Sequence, residues 1–437
     1  MIKPEDTRIE ELGSPKHVSP LELSTVYGDS IGNFTPLEAR IRYDIDLGTG
    51  AAEDCEEVFF EKAGAREKIF YNPADVSAGI VTCGGLCPGL NNVIRSLVNQ
   101  LAAYGVKRIL GIRDGYKGLN PAMNRPPIEL TRDMVDHIHF AGGTMLGSSR
   151  GPQDAAVIVD FLVENGIDMI FCIGGDGTQR GCHNIAAECS RRGLPIAAVG
   201  IPKTIDNDIF CIARSFGYAT ALEEVRRVLD CAHTEAKCAV NGIGVVKVMG
   251  RESGHIAAGA TVASQEVNFA LIPEVPFKME GSGGVLELLR KRMEKRNHAV
   301  VIVAEGAGQD LMEGHSDGVD SSGNKRLKDI GVFVTDSIKD FFGREEIEVN
   351  VKYFDPSYII RSVPANCTDA LLCDSLARNA VHAAMAGKTD CLVGMLHDQY
   401  IHVPLPLATR ERKLIDPEDD LWVRVHESTG QPLKFQV

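Results

Sequence analysis

Long apolar runs and an excess of basic charge are both missing from this sequence. No stretch of 18 consecutive apolar residues occurs, so we expect no transmembrane helix. Asp and Glu (60) outnumber Lys and Arg (46), and the formal net charge at pH 7 is −14. Such a surface repels phosphates at long range, which disfavours binding to nucleic acid or to an anionic membrane. A small phosphorylated substrate is still allowed, because it needs only a local cluster of basic side chains.

A disulfide framework is missing too, although the chain has 12 cysteines. Cys172 lies in an apolar run, and other cysteines fall on predicted helices. Residues 1–13 are acidic and polar, unlike a secretory signal, and residues 434–437 do not form a peroxisomal address. We therefore expect a reducing, cytoplasmic compartment.

The positions of the glycines along the chain predict alternating helices and strands. A predicted helix ends at each of Gly105, Gly166, Gly193 and Gly387, and a short apolar segment follows each of them. This order is typical of α/β units around a parallel sheet. The expected strands are 78–82, 106–112, 168–173, 195–201 and 390–395 in one domain, and 243–249, 269–272, 299–305 and 347–353 in another. We expect an α/β fold with two similar three-layer, parallel-sheet domains, and ligand sites at the carboxyl ends of the strands.

The first candidate turn runs from Cys83 to Asn92, directly after a predicted strand. Its glycines let backbone N–H groups approach a phosphate, and the following helix adds its positive end. An ordinary strand–helix turn is the alternative. It is not a Walker loop, because no Gly-Lys-Ser/Thr closes it. The spacing of Cys83 and Cys87 is not repeated by a second pair, which disfavours a metal site.

The second turn is Gly174-Gly175-Asp176-Gly177-Thr178, again after an apolar strand. An Asp at a strand's carboxyl end can hold Mg²⁺ while backbone amides take phosphate oxygens. The alternative is that Asp176 caps a helix that begins near Thr178. The turn predicts a binding site for nucleotide phosphates but does not indicate which molecule accepts the phosphoryl group.

The third turn, Pro202 to Asp208, places two carboxylates beside a lysine and a threonine. Two like charges this close raise the proton affinity of at least one of the two carboxylates. Asp206 or Asp208 is therefore suited to act as a general base. A purely structural acidic turn is the alternative.

This third segment resembles the catalytic loop of the 6-phosphofructokinase family. Further motifs follow the family's order and spacing over about residues 78–410. They are Gly84-Gly85, Pro88-Gly89-Leu90-Asn91, Asp114-Gly115-Tyr116, Gly142-Gly143-Thr144, Leu146-Gly147-Ser148-Ser149-Arg150, Gly174 to Thr178, Met249-Gly250-Arg251 and Glu305-Gly306. The resemblance implies phosphoryl transfer from ATP–Mg to the 1-hydroxyl of D-fructose 6-phosphate, which gives fructose 1,6-bisphosphate and ADP. It also implies a homodimer or homotetramer.

The resemblance assigns roles to individual residues. Asp206 is the expected base, with Thr204 and Asp208 beside it, and Arg150 is expected to stabilise charge on the transferring phosphoryl group. Asp176 is expected to hold Mg²⁺. The expected nucleotide contacts are Gly84, Tyr116, Arg150, Gly174, Gly175, Asp176, Gly177, Thr178 and Lys203. The expected sugar-phosphate contacts are Thr204, Ile205, Asp206, Met249, Gly250, Arg251, Glu305, Lys352, Tyr358 and Arg361, with Arg361 on the 6-phosphate.

The expected domain boundaries follow. Residues 1–73 form an N-terminal extension that either wraps the body or a partner subunit, or is a partly mobile tail. Residues 74–214 with about 360–410 form a nucleotide-binding domain, residues 215–359 form a sugar-phosphate-binding domain, and residues 411–437 form a C-terminal tail.

Departures from the family pattern concern the 6-phosphate pocket and the donor. Short bacterial relatives carry a basic residue at Gly242, a His at Tyr358 and an Arg at Lys352, so part of that pocket is expected to be rebuilt. Lys203 is shared with pyrophosphate-using relatives, whereas Gly177 is shared with ATP users.

The donor prediction depends on Gly177, because an Asp there would occupy and repel the α-phosphate region. The sequence therefore resembles the long ATP-dependent subfamily of trypanosomatids, plants and some bacteria. A pyrophosphate-dependent enzyme is the alternative. A non-catalytic regulatory subunit is disfavoured, because Asp206, Asp176 and Arg150 are all present.

Overall fold

The computed structural model describes residues 2–45, 57–312, 318 and 326–435. The chain divides into two compact units. The first comprises Met1–Thr204, Ile209–Phe216 and Pro364–Arg412, and the second comprises Ile205–Asp208, Gly217–Val363 and Lys413–Val437. Across the described ranges, no helix combines the length and the apolar character that spanning a membrane requires.

The strands are numbered along the chain. They are β1 (Glu10–Glu11), β2 (His17–Val18), β3 (Arg40–Arg42), β4 (Phe59–Lys62), β5 (Lys68–Ile69), β6 (Ser77–Thr82), β7 (Arg108–Ile112), β8 (Ile128–Glu129), β9 (Met169–Gly174), β10 (Ala197–Pro202), β11 (Gly242–Val248), β12 (Phe269–Leu271), β13 (His298–Ala304), β14 (Asn350–Phe354), β15 (Lys388–Thr389), β16 (Cys391–Leu396) and β17 (Gln399–Pro404).

The α-helices are numbered in the same way. They are α1 (Leu90–Tyr104), α2 (Arg132–Val135), α3 (Ala155–Glu164), α4 (Asp176–Arg191), α5 (Tyr218–Cys238), α6 (His255–Ser264), α7 (Val285–Arg296), α8 (Ile330–Arg344), α9 (Cys367–Met385), α10 (Leu405–Ala408) and α11 (Asp420–Thr429). Short 3₁₀ helices cover Pro4–Thr7, Pro73–Asp75, Gly115–Leu119, Pro121–Met123, Ile138–Phe140 and Gln309–Leu311.

The first unit is built on a nine-stranded sheet of order β3-β4-β17-β16-β10-β9-β6-β7-β8. Its centre, from β16 to β7, is parallel as predicted, but the outer strands are antiparallel, so the sheet is mixed. One cause is local: His397 and Asp398 connect β16 to β17 with positive φ values of 49° and 58°. Such a two-residue turn reverses the chain and forces an antiparallel pair.

The central strands β6, β9 and β10 are buried along their whole length. Helices α1 and α9 pack against each other, as do α3 and α4, and they cover the sheet. Burial of both strand faces explains why these segments are continuous apolar runs. The strand order reverses between β6 and β9, because α1 leads from β6 to β7 in one direction and α4 leads from β9 to β10 in the other. The carboxyl ends at such a reversal form the usual ligand crevice.

Strands β9 and β10 each end one residue beyond the prediction. Gly174 and Pro202 are paired in the parallel ladder rather than lying in the turns. Glycine and proline are weak strand signals, so the sequence pattern ends before the hydrogen-bonded ladder does.

The second unit contains a wholly parallel four-stranded sheet of order β12-β13-β11-β14. Helix α5 packs on β11 and β13, and α8 packs on β11 and β14. The C-terminal helix α11 packs against α6 in this unit, and the indole of Trp422 is fully buried there.

The described part of the N-terminal extension is held by short strand pairings in the first unit. Strand β1 pairs with β15, β2 pairs with β5, and β3 extends the large sheet through β4. The buried Lys388 joins Glu11 to Glu61 across these strands, with a 3.0 Å ion pair to Glu61. Strands of two to four residues produce almost no periodicity, which is why the sequence pattern did not reveal them.

Candidate active site

The loop after β6 is held by hydrogen bonds to the segment that ends at Arg150. The N–H of Gly84 donates to the carbonyl of Ser149 (3.0 Å), and Ser148 Oγ donates to the carbonyl of Gly84 (2.6 Å). Gly84 has φ +87°, a conformation that glycine adopts without strain. Two motifs whose bonded residues are 64 positions apart in the chain are therefore one structural feature.

Two cations converge on this loop. Lys203 Nζ donates to the carbonyl of Gly85 (2.8 Å) and lies where it would meet a Cβ of Gly84 at 3.2 Å. A Cβ at Gly85 would lie 3.1 Å from a guanidinium nitrogen of Arg150. Lys203 is buried, whereas Arg150 is exposed and able to follow a ligand. A lysine and an arginine over glycine backbone form a local positive site on a protein whose net charge is −14.

The second turn opens α4, whose N-cap is Gly175. The alternative that Asp176 caps this helix is wrong, because Asp176 is its first residue and its carboxylate pairs with Arg180 and, at 3.9 Å, with Arg412. By position, the N–H groups of Asp176 and Gly177 have no acceptor within the helix. They point out of its positive end, where anions bind.

Gly174 and Gly177, on either side of Asp176, differ in the space available for a side chain. At Gly174 a Cβ would collide with the side chain of Thr178, so close packing demands a glycine. At Gly177, apart from its chain neighbours and the backbone of α4 itself, no heavy atom of the described residues would lie within 4 Å of a Cβ. Within the described part of the chain, packing therefore leaves room for a side chain at Gly177.

The predicted nucleotide contact Tyr116 is buried in this structure, and its hydroxyl donates to the carbonyl of Thr178 (2.7 Å). A Cβ at Gly181 would lie 2.5 Å from the ring. Burial, together with the neighbouring thiols of Cys172, Cys182 and Cys83, raises the pKa of Tyr116 well above its ordinary value. The side chain of Tyr116 therefore packs against α4, with its ring beside Gly181 and its hydroxyl bonded to Thr178 in the first turn.

Sequence reasoning missed Gln179, a fully buried side chain of α4. Its Nε2 donates to the carbonyls of Gly174 (2.8 Å) and Ile201 (3.1 Å), at the carboxyl ends of β9 and β10. A Cβ at Gly200 would collide with Gln179 Oε1. A glycine inside a buried strand signals such a close approach, so Gly200 could have revealed it.

The third turn passes from one unit to the other. Lys203 and Thr204 belong to the first unit, whereas Ile205–Asp208 belong to the second. The N–H of Lys203 donates to the carbonyl of Gly174 (3.0 Å), which continues the β9–β10 ladder by one bond. Within the second unit, Ser253 Oγ donates to the carbonyl of Asp206 (3.4 Å), and the N–H of Lys413 donates to the carbonyl of Asp208 (3.0 Å). Asn207, between the two carboxylates, has φ 54° and turns the chain sharply.

Glycines join the ends of β11 and β13 in the second unit. The N–H of Gly306 donates to the carbonyl of Gly250 (3.0 Å), and a Cβ at Gly306 would collide with the carbonyl of Arg251. The two predicted motifs, Met249 to Arg251 and Glu305-Gly306, therefore lie against each other.

Glu305 lies in this same group. Burial raises its pKa, while the positive charges of Arg251, Lys247 and Arg361 act in the opposite direction. The guanidinium of Arg361 stacks over the Tyr358 ring at 4.5 Å. Arg251 and Arg361 thus lie within electrostatic range of Glu305, and Arg361 lies against Tyr358; these four residues are called the Arg251 cluster.

Lys352 lies apart from this cluster. It pairs in register with Gly244 on β11, four residues before the strand's carboxyl end, which corresponds to roughly 13 Å along the strand. Gly242 begins β11, and a Cβ there would collide with the carbonyl of Ala236 at the end of α5. The departure at Gly242 therefore has a packing reason.

The side chains around Asp176 decide whether a metal ion could be held there. Within the parts of the chain that the structure describes, no group of three or more His, Cys, Asp or Glu residues could hold a metal ion. Asp176 offers one carboxylate at a positive helix end, where it is paired with Arg180 and Arg412. It fits an ion such as Mg²⁺ that takes one or two protein carboxylates and completes its shell with phosphates and water.

Known proteins resemble this chain over most of its length. The family model described as phosphofructokinase matches residues 77–384. The ATP-dependent 6-phosphofructokinase of Borreliella burgdorferi is 46% identical over 99% of this chain and 98% of its own length. That of Trypanosoma brucei brucei is 48% identical over 84% of this chain and 76% of its own length.

Solved structures show the same fold. A pyrophosphate-dependent phosphofructokinase from Marinobacter aquaeolei superposes with a TM-score of 0.68 at 19% identity, over 83% of this chain and 92% of its own. Pichia pastoris phosphofructokinase gives a TM-score of 0.63 at 22% identity, over 83% of this chain and 38% of its own. From the matched family model and these relatives, the chain belongs to the phosphofructokinase family.

Proposed function

We propose that this protein transfers the γ-phosphoryl group of ATP–Mg to the 1-hydroxyl of D-fructose 6-phosphate, giving fructose 1,6-bisphosphate and ADP. The observation that carries this proposal is the position of Lys203. Its N–H continues the β9–β10 ladder, its Nζ lies on the glycine loop after β6, and Asp206 follows three residues later.

The first unit supplies the donor side. The N–H groups at the start of α4 and the glycine loop would bind phosphate oxygens, with Lys203 and Arg150 neutralising their charge. When bound, Mg²⁺ supplies further neutralisation of the phosphates, and Asp176 would hold it. Arg150, which is exposed, would approach the equatorial oxygens of the transferring group.

The second unit supplies the acceptor side. Arg361 and Arg251 would pair with the anionic sugar phosphate, and Glu305 would accept hydrogen bonds from its hydroxyls. The Asp206 carboxylate would take the proton of the 1-hydroxyl as the new O–P bond forms and the bond to the ADP oxygen breaks. Thr204 and Asp208 flank that step, and Ile205 and Met249 would contact the sugar.

The donor choice depends on Gly177. Its open Cβ direction leaves space at the positive end of α4 for a phosphate beyond the transferring pair. Pyrophosphate is the competing donor, and Lys203 could serve it equally well. The two sequence relatives above are both ATP-dependent 6-phosphofructokinases, which favours ATP as the donor.

A donor-swap assay tests the proposal. Purified full-length protein is given fructose 6-phosphate and Mg²⁺ with either ATP or pyrophosphate, and fructose 1,6-bisphosphate is measured. Turnover with ATP is expected. Turnover with pyrophosphate but not with ATP would show that pyrophosphate is the donor. Binding of fructose 6-phosphate without turnover by either donor would support a regulatory subunit instead.

We also propose a cytoplasmic homo-oligomer. The described cysteines, eleven in number, are all free thiols, which suits a reducing compartment. Lys352 lies about four residues before the carboxyl end of β11, and a second copy of the chain would be one way to bring a sugar-phosphate pocket to it.

A further inference from the structure

Glu274 follows β12 in the second unit and joins two backbone segments that are distant in sequence. Its carboxylate accepts the N–H of Gly254 at 2.9 and 3.0 Å, one bond to each oxygen. The oxygen at 2.9 Å also accepts the N–H of Ile415 at 3.0 Å. One partly buried side chain thus satisfies two backbone donors that would otherwise lose their hydrogen bonds.

The Gly254 side of this arrangement leads to Asp206. Ser253, the preceding residue, donates from Oγ to the carbonyl of Asp206 (3.4 Å). Ser253 Oγ also lies 2.5 Å from Nδ1 of the buried His255. If Ser253 donates to Asp206, Nδ1 of His255 is the donor to Ser253, which orients the hydroxyl towards the loop.

The Ile415 side leads to Asp208. Two residues before Ile415, the N–H of Lys413 donates to the carbonyl of Asp208 (3.0 Å). The side chain of Ile415 is buried, so this segment is anchored by packing as well as by hydrogen bonds. The backbone carbonyls of Asp206 and Asp208 are therefore both connected to Glu274 within one unit, the first through Ser253 and Gly254 and the second through the segment Lys413–Ile415.

We infer that Glu274 is a positioning residue for Asp206 and Asp208, acting through Ser253 on one side and through the C-terminal segment Lys413–Ile415 on the other. This segment lies beyond the residues matched by the family model, 77–384. The inference rests on the proposed function, because it concerns the base of that reaction. A shift of about 1 Å in a catalytic group can cost roughly 10²-fold in rate, so a loosened loop should reduce kcat.

Three variants test the inference. Glu274→Ala removes the acceptor, whereas Glu274→Gln keeps one oxygen that can accept both N–H groups. Ser253→Ala cuts the contact to Asp206 and leaves Glu274 in place. The matched control is Gln431→Ala: Gln431 is a buried C-terminal side chain in the same unit, and it accepts the N–H of Ala270 (2.7 Å) rather than a donor of the segments that hold Asp206 and Asp208.

Steady-state kinetics of the full chain, with fructose 6-phosphate and each donor varied, is the measurement. For Glu274→Ala and Ser253→Ala we expect kcat to fall by about tenfold or more, with KM for the donor unchanged within about twofold. Glu274→Gln is expected to recover most of the turnover. Gln431→Ala is expected to lower the thermal midpoint without a comparable loss of kcat.

The outcomes separate the two proposals. A parent chain without turnover by either donor would refute the proposed function. An active parent with folded Glu274→Ala and Ser253→Ala variants at parental kcat would refute the positioning role alone. If Glu274→Ala does not fold, Ser253→Ala decides, and parental kcat in that variant overturns the inference.

Discussion

Gln179 Nε2 donates to the carbonyl oxygens of both Gly174 and Ile201, and so ties the carboxyl ends of β9 and β10 together. These two ends begin the second and third turns. A single buried amide therefore links the strand ends that lead to the amino end of α4 and to Lys203. Gly200 leaves the space that the amide occupies.

Gly200→Ala should destabilise the protein, because the added methyl group collides with Gln179 Oε1 in a buried strand. The expected loss is about 1–3 kcal/mol. Urea and thermal unfolding of the variant would measure it. The double variant Gly200→Ala/Gln179→Ala should recover part of the loss. If its loss of stability equals the sum of the losses of the two single variants, the steric explanation is contradicted.

Gly177→Asp should impair ATP use without harming the fold. The Cβ direction is open, and an Asp in the first turn of α4 is favoured by the helix dipole, by about 0.3–1 kcal/mol. The thermal midpoint should therefore be unchanged or slightly raised, while kcat/KM for ATP falls by about tenfold or more because of charge repulsion at the phosphates.

Gly177→Ala is the control for size without charge and should retain most of the ATP activity. Unchanged ATP kinetics in Gly177→Asp would count against a role of Gly177 in donor choice. A gain of pyrophosphate activity in the same variant would strengthen it.

Asp206→Ser should lower kcat by about 10²-fold or more, because the hydroxyl cannot take the proton of the sugar 1-hydroxyl at neutral pH. The KM for ATP should change little. Asp230→Ser is a matched control in the same unit, since Asp230 is a partly exposed α5 residue in an ion pair with Arg226. A near-normal rate for Asp206→Ser would remove the base assignment.

The buried ion network of the N-terminal extension should make stability depend on pH. Burial alone would raise the pKa of Glu61, but His402 and Lys388 outweigh it and hold that pKa below its ordinary value. A lowered pKa in the folded state means that the stabilisation is complete above about pH 4.5, the ordinary value for Glu, and is lost as the pH falls below it.

Glu61→Gln should therefore cost about 3 kcal/mol at pH 7, since it leaves Arg66 with weaker pairing inside the first unit. The difference from the parent chain should shrink as the pH is lowered towards 3. Urea unfolding at several pH values checks this. A difference that stays constant with pH would show that the carboxylate charge is not what stabilises the network.

Much of the site could be predicted because its residues lie in short runs at strand ends. The glycine loop after β6, the turn around Asp176 and the loop to Asp208 were each located from consecutive residues. The joining of Gly84 to Ser149, and of Gly250 to Gly306, was only implied by family order, because each bond links distant segments.

By itself, the sequence determined the alternation of helices and parallel strands and the positions of the charged turns, because helix periodicity and glycine chemistry are properties of neighbouring residues. Only the tertiary structure decided how Glu61 meets Lys388, how Gln179 fills the space above Gly200, and how Glu274 reaches Ile415. These contacts join residues up to hundreds of positions apart, and hydrogen bonds and packing over such separations leave no local pattern in the chain.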